Sequence, residues 1–469
     1  YNGKFLSGTG HVNNKDNHYK VLKGDRGVKG DRGFKGRDLK IEGIENTEDG
    51  LLFTKNIISG NPICFGKNLN NCIIDLDGDN ELDANEQSVR TDANGNFTIN
   101  SSASAYKIVA LTDDSTVDSS SGATLSGVML TAPKGAGVVS PTSTLMAEGG
   151  LTADEVAKVL NLPDGVDPLK FNPFADGVDA TDALAVEKIS QQIMTAVSSF
   201  ASAAEGAGAS ETGAFEAALT SVVDVVKVKA VKLNDTTATA AEKTIDFTKT
   251  ADLDLIKAKV ADEAQKVATA EGSSGFNKAA LSALVNDTAT SIENVNNQIK
   301  NVTDLTSDAT KNVFSTLSVL NEQVKQAVAE QKGGGTGSIA FKNPLTVQNA
   351  ANNFAPQDLK ISNNKILEGT KDLVLGSLST IDKDQGSSAF KYEIAKAQGT
   401  DYSLFEINSK GELVLLQSPD YSEKSSYEVF IVTTDDGGKK FSKKIKIDVT
   451  PDPHENFLVK FKVKYVEEG

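Results

Sequence analysis

The chain has 469 residues, with 48 basic and 64 acidic side chains and a formal net charge of −16. That balance speaks against general nucleic-acid binding and suits a soluble, calcium-rich extracellular setting. Trp is absent and aromatics make up 6%, so no aromatic-rich ligand groove stands out, and no apolar run approaches the ~18 residues that cross a bilayer.

At roughly 150 residues per domain, the length predicts about three domains. The chain opens on Tyr1 with neither Met nor a signal peptide, and reads as a processed or excised piece of something longer. Residues 1–49 form a basic tail; within 1–40, ten Lys/Arg stand against four Asp, a net of +6. Inside it, over 24–38, Gly24, Gly27, Gly30, Gly33 and Gly36 recur at period three in "GDRGVKGDRGFKGRD". Only Gly fits at the axis of a collagen triple helix, yet the run has five triplets and no Pro. It reads either as a trimer stub or as a flexible basic tether.

Residues 50–147 read as a β-sandwich. "GNFTI" and "YKIVAL" are short alternating strands, "DANGN" is a turn, and "GATLSGVMLTAP" continues the pattern to Pro133. Cys64 and Cys72 flank "FGKNLNN". A local disulfide closing that loop, implying an oxidising compartment, is preferred over two unconnected buried thiols; no His lies near them to complete a zinc site.

Residues 148–332 read as a helical bundle. "LTADEVAKVLNLP" opens with Thr152 and Glu155 at capping-box spacing and stops at Pro163. In the next helix Leu184, Ile189, Ile193, Val197 and Phe200 share a face before Gly206. Phe215, Leu219, Val222 and Val226 repeat the device, and Ile292, Val295, Ile299 and Val302 follow at heptad-like spacing. These stripes are either a bundle core or a self-associating coiled coil. "QKGGGTGS" begins a flexible linker, 333–352. Beyond it Tyr427, Val429 and Ile431, then Ile445, Ile447 and Val449, alternate as strands do. The last segment, 457–469, has Phe457, Val459, Phe461, Val463 and Tyr465 opposite Lys460, Lys462 and Lys464, as a charge-protected edge strand would.

The chemistry concentrates in "DLDGDNELDANE", residues 75–86. Asp75, Asp77, Asp79, Glu81 and Asp83 occupy alternate positions and Glu86 closes twelve residues. This is the D-x-[DN]-x-[DN]-G-x₅-E pattern of a Ca²⁺ loop, in which a curved chain brings six to eight oxygens to the ion. Asn80 stands where Gly is expected, and Asn tolerates the left-handed backbone needed there. The alternative is a solvated acidic turn. Asp92 and Asn94 in the following hairpin are further candidate oxygen donors.

"DLDGDNELDANEQSVRTDANGNFTI" resembles the Ca²⁺-loaded β-sandwich repeats of bacterial surface adhesins. The segment "LTAPKGAGVVSPTSTLMAEGGLTADEVAKVLNLPDGVDPLKFNPFA" is similar to a helical module that follows such repeats in very large secreted bacterial proteins. Residues 353–456 resemble a bacterial cadherin-like repeat, through "NFAPQDLKISNNKILEGTKDLVLGSLSTIDKDQG", "PDYSEKSSYEVFIVTTDDGG" and "VTPDPHEN". The resemblance implies Ca²⁺ between consecutive repeats, stiffening the joint. It puts Glu368 at the early Glu, Asp382 and Asp384 at the D-x-D, Asp420 at the Asp of L-D-Y-E, Asp435 before the Gly pair, and Asp452 and Glu455 in the D-x-N-D-N linker. Three departures stand out: Ser422 for Glu, Pro419 for Leu, and His454 for Asn.

His11, His18 and His454 are far apart, and no Ser-His-Asp grouping, P-loop or dinucleotide-binding Gly fingerprint occurs. The chain therefore reads as a non-enzymatic, multidomain extracellular protein with all-β sandwich domains flanking an all-α bundle. Ca²⁺ acts as its glue in a bacterial surface adhesin, layer or filament, with self-association as a trimer or filament. Two rivals remain at this point: a phage fibre or other virion protein, and a Ca²⁺-dependent module binding glycans or other surface proteins.

Overall fold

The computed structural model describes residues 71–452 apart from 90, 92–94, 96, 100, 102, 114–115, 117, 119, 123–126, 372, 385–389 and 398, together with the backbone of four earlier strands. The chain divides into two compact units, residues 1–58 with 98–104, and the remainder. In the first, β1 (Val12–Lys15), β2 (His18–Val21), β3 (Ile44–Thr47) and β4 (Gly50–Phe53) form an antiparallel sheet in the order β1-β2-β4-β3. Most of this was expected as tail. Strands of four residues are too short for a period of two to stand out. The collagen-like run, Cys64, Asp92, Asn94, Glu455 and the strand expected at 457–466 lie outside the described residues.

In the second unit, β5 (Asn71–Asp75), β6 (Gln87–Val89), β7 (Lys107–Leu111) and β8 (Met129–Pro133) make one antiparallel sheet in the order β6-β5-β7-β8. Ile108, Val109 and Ala110 are all buried, as are Leu130, Thr131 and Ala132, so both faces of these strands are covered. One cover is a helix, α1 (Pro141–Gly149). Thr131 N–H donates to Thr144 Oγ1 at 2.9 Å and the Thr131 carbonyl accepts from Ser143 Oγ at 2.9 Å. Residues 97–99, expected as part of a strand, are irregular.

The helical body comprises α2 (Ala153–Val159), α3 (Ala180–Gly206), α4 (Glu211–Lys232), α5 (Ala240–Lys243), α6 (Thr250–Ala270), α7 (Lys278–Lys300), α8 (Asp308–Lys332) and α9 (Pro344–Asn352). Thr152 and Glu155 form a reciprocal capping box at α2, and Asp179, Ser210 and Ser307 cap α3, α4 and α8. α3 packs against α4, α7 and α8. Its second half is buried on all sides, with Phe200 fully buried among many Ala and Ser. Small side chains let neighbouring helices approach a central one closely, which is why polar Ser190, Thr195 and Ser199 sit inside.

The expected linker 333–352 is folded. Ile339, Phe341 and Val347 are buried, and α9 rests on α7 and α8. Gly337 lies so close to α8 that a Cβ there would be 1.9 Å from the Ala327 carbonyl oxygen. The glycine serves close packing rather than flexibility.

The C-terminal region contains β9 (Asp358–Ile361), β10 (Lys365–Leu367), β11 (Val374–Ile381), β12 (Lys391–Ile394), β13 (Phe405–Ile407), β14 (Glu412–Leu415), β15 (Ser426–Thr434) and β16 (Lys440–Thr450). They form two four-stranded sheets, β10-β16-β15-β12 and β13-β14-β11-β9, with β10 parallel to β16. Leu359, Leu375, Phe405, Leu413 and Leu415 of one sheet share a buried cluster with Tyr427, Val429, Ile431, Ile445, Ile447 and Val449 of the other. In β15, Phe430 and Val432 are buried as well, under Ala395 and Ala397, so this strand is covered on both faces.

Candidate metal centre

β5 delivers Asp75 and β6 takes the chain away at Gln87, with Ile74 paired to Gln87. The loop between is turned by its own carboxylates. Asp75 is 1% exposed; its Oδ1 accepts from Gly78 N–H at 2.6 Å and its Oδ2 from Asn80 N–H at 3.1 Å. Asp77 Oδ1 accepts from Asp79 N–H at 3.3 Å, and Asp79 Oδ1 from Glu81 N–H at 2.8 Å. Glu86 closes the circle, accepting from Leu76 N–H at 2.6 Å and Asp83 N–H at 3.1 Å. Asn80 adopts φ 66°, the left-handed conformation its position requires.

The result is convergence. Carboxylate oxygens of Asp75, Asp77 and Glu86 lie within 4.8 Å of one another, as do those of Asp77, Asp79 and Asp83. Among the described residues, both groupings of this kind fall in this loop. The Glu81 side chain belongs to neither; in a loop of this spacing the seventh residue ligates through its backbone carbonyl.

Among the described residues the repulsion is poorly answered: the loop's carboxylates have one ion pair, Lys107 Nζ to Asp75 Oδ2 at 3.9 Å, and that lysine also serves Glu148 at 3.2 Å. Loss of hydration, then the charges of Asp79, Asp77, Glu86 and Asp75, raise the Asp83 pKa above its ordinary value. The Asn80 side-chain oxygen is shielded from water and has no hydrogen-bond partner. Oxygen-only donors, excess negative charge and an orphaned oxygen fit a hard divalent cation such as Ca²⁺.

The other expected ligands do not form one site. Glu368, Asp420 and Asp452 sit at one end of β11, β15 and β16; Asp382, Asp384 and Asp435 sit at the other. The eight residues of β11 separate the two sets by about 26 Å at ~3.3 Å per residue. At the first end, Glu368 accepts from Tyr421 N–H at 3.0 Å and Asp452 N–H at 2.5 Å. Asp420 Oδ1 accepts from Ser422 Oγ at 2.7 Å and Ser422 N–H at 2.8 Å, bonds that hold its pKa low. Ser422, where the resemblance implies Glu, thus engages Asp420 itself.

At the second end, Asp435 is 5% exposed. Its Oδ1 accepts from Lys439 N–H at 2.8 Å and its Oδ2 from Asn353 Nδ2 at 2.9 Å. Asp384 Oδ2 accepts from Phe354 N–H at 2.6 Å, and Asp382 Oδ1 from Asp384 N–H at 3.1 Å. Burial raises the pKa of both Asp382 and Asp435.

No family model and no curated protein matches the chain. Among solved structures it is similar to protocadherin gamma B7 extracellular cadherin domains 1–4, at 20% identity over 21% of this chain and 26% of that one, with a TM-score of 0.17. It is also similar to mouse clustered PcdhgC3 EC1-3, at 17% identity over 20% of this chain and 33% of that one, TM-score 0.18. For zebrafish RET cadherin-like domains 1 to 4 the figures are 20% identity, 20% of each chain and 0.16. The chain thus spans a third or less of the length of each. At such scores, strand topology and not likeness describes the C-terminal region. Among the described residues no helix is long and apolar enough to cross a membrane.

Two polar groupings carried no signal in the sequence. Lys439 is fully buried at the Asp435 end. Its ammonium donates to the Asn312 carbonyl at 2.8 Å and the Asn353 carbonyl at 2.6 Å. Within the helical body Glu187, 0% exposed, accepts from Ser120 Oγ at 2.5 Å and Gln191 Nε2 at 3.0 Å, and its other oxygen has no partner. Burial and the neighbouring Asp118 carboxylate push its pKa up to about 8. Cys72 is buried in β5.

Proposed function

We propose that the chain is a non-enzymatic extracellular structural or adhesive protein whose loop at 75–86 is completed by Ca²⁺, as a module of a bacterial surface adhesin, layer or filament. One observation carries the reading: two triads of carboxylate oxygens, sharing Asp77, converge in a loop pinned between paired strands. Asp75, Asp77, Asp79, Asp83 and Glu86 would hold the ion through side chains and Glu81 through its carbonyl. The ion would supply positive charge that, among the described residues, Lys107 alone provides there, and so tie β5 to β6. Binding to the folded loop alone converts Ca²⁺ concentration into stability. Loops of extracellular modules work at the 10⁻⁴–10⁻³ M end of the affinity range. In this reading the two C-terminal sheets form a cadherin-like sandwich that serves as a mechanical element, and the assembly is made of several copies of the chain.

Thermal melts of the full chain in EDTA and in millimolar Ca²⁺ test the central claim. The transition should rise clearly with Ca²⁺, and calorimetric titration should show binding that Asp77→Asn weakens. Superimposable melts with no heat of binding would defeat it. Light scattering then reads the assembly state with and without Ca²⁺.

A further inference from the structure

We propose that the Asp382–Asp384–Asp435 end of the C-terminal sheets is a cation site that the chain fills with its own Lys439, so that the joint to α8 closes without metal. The resemblance in the sequence implies a divalent ion beside these three acids; the arrangement of Lys439 favours a different cation. Lys439 is fully buried, and among long charged side chains that is tolerated only with partners. Its partners come from both sides of the joint: the Asn312 carbonyl in α8, at 2.8 Å, and the Asn353 carbonyl just after α9, at 2.6 Å. The Asn312 carbonyl also receives Ser315 Oγ at 3.0 Å and Thr316 Oγ1 at 2.9 Å, which fixes its place.

Four of the six carboxylate oxygens are meanwhile engaged by N–H donors, while Asp382 Oδ2 is buried without a hydrogen-bond partner. Both oxygens of Asp435, one of Asp384 and one of Asp382 accept from the chain. A metal would have to displace these bonds, next to a buried lysine whose own backbone N–H donates to Asp435. The surrounding chain is shaped for the lysine. The turn Asp435–Lys439 closes through Asp435 N–H to the Lys439 carbonyl at 3.0 Å. Gly437 admits the Asn353 amide, 2.5 Å from where a Cβ would stand. A second tie runs across the same joint: Lys383 pairs with Asp308 at the start of α8 and lies over the Phe354 ring at 5.2 Å.

Calcium titration and small-angle scattering of the full chain test this. The wild type should bind the same number of Ca²⁺ ions as Asp435→Asn, and its scattering profile should not expand in EDTA. Lys439→Met should expand that profile in both conditions. Lys439→Ala, leaving carbonyl and carboxylate oxygens around the space, should gain one Ca²⁺ equivalent that Lys439→Ala with Asp435→Asn loses. An equivalent lost from the wild type on Asp435→Asn, expansion of the wild type on chelation, or a folded Lys439→Ala without the added ion would each overturn the proposal. Should the lysine variants fail to fold, the Asp435→Asn comparison alone decides. A wild type that binds no Ca²⁺ at all would sink the reading of the 75–86 loop and leave the lysine joint standing, so the two fail separately.

Discussion

The loop at 75–86 and the joint at 382–439 are both dense in acids, and they meet the resulting repulsion in opposite ways. In the loop the side chains of Asp77, Asp79, Glu81 and Asp83 face water, and one lysine stands 3.9 Å from one carboxylate. At the joint, Asp435 and Lys439 are buried together, and the positive charge is part of the chain. An exposed cluster can exchange its counter-charge with solvent and so can respond to it. A buried cluster with a built-in lysine cannot. Glu187 shows a third solution: burial and the neighbouring Asp118 push its pKa up to about 8, which favours the neutral acid.

The largest expected effect separates the joint from the loop directly. Lys439→Met removes an ammonium from between two carbonyls. A hydrogen bond to a charged group is worth about 1.5–3 kcal/mol, and Lys439 makes two, so the loss should be several kcal/mol. The loss should be the same in EDTA and in Ca²⁺ when read by urea unfolding. A loss of less than about 1 kcal/mol, the scale of surface pairs, would mean that the joint is held by something else.

Glu187 gives the next effect, and its sign follows from linkage. Its pKa is raised from 4.5 to about 8 in the folded protein. Between those values the folded chain binds a proton that the unfolded chain has released, so stability falls as pH rises from 4.5 to 8. Glu187→Gln removes this slope. Relative to wild type, its stability should rise between pH 5 and pH 8 by on the order of a few kcal/mol, since one proton held by the folded chain alone is worth ~1.4 kcal/mol for each step of one in pH. Variant and wild-type stabilities that run parallel across that range would show that Glu187 is ionised in the fold.

Much of this was readable in the sequence where the determinants are local. The 75–86 loop is set by side chains bonding to amides two to ten residues away, and the α2 capping box by Thr152 and Glu155, three apart. Spacing along the chain is enough to find such features. The lysine joint has no such spacing, since Lys439 reaches Asn312 and Asn353 across 127 and 86 residues. Asp382, Asp384 and Asp435 are legible as acids of one resemblance, but the buried lysine at that end is not. The segment 333–352 misled for a related reason. Gly337 is demanded by contact with Ala327, and a glycine needed for closeness looks, in sequence, like one needed for flexibility.

The loop offers a smaller effect with a change of sign. Asp77 belongs to both oxygen triads, and Asn in its place keeps an Oδ1 to accept from Asp79 N–H while removing one negative charge. In Ca²⁺ the variant should bind on the order of tenfold more weakly, because ligand charge count sets affinity in such loops, and it should melt below wild type. In EDTA it should melt at or above wild type, since one source of repulsion is gone. Destabilisation of equal size in both conditions would make Asp77 a structural turn residue and nothing more.

The smallest effect tests the fine fit of the joint. An alanine Cβ at Gly437 would stand 2.5 Å from Asn353 Nδ2 and 2.8 Å from Asn353 Cγ, too close for either group to stay. The amide must turn away and give up its 2.9 Å bond to Asp435 Oδ2. A hydrogen bond of this kind contributes about 1 kcal/mol net, and Gly437→Ala should lose about that much in denaturant unfolding. Gly438→Ala, next door, meets only Val319 methyls at 3.7 Å and would be strained instead by its φ of 85°, so its loss should persist when Asn353 is replaced. The Gly437→Ala loss should vanish in an Asn353→Ala background, because the clash and the bond disappear together. Additive losses would separate Gly437 from Asn353.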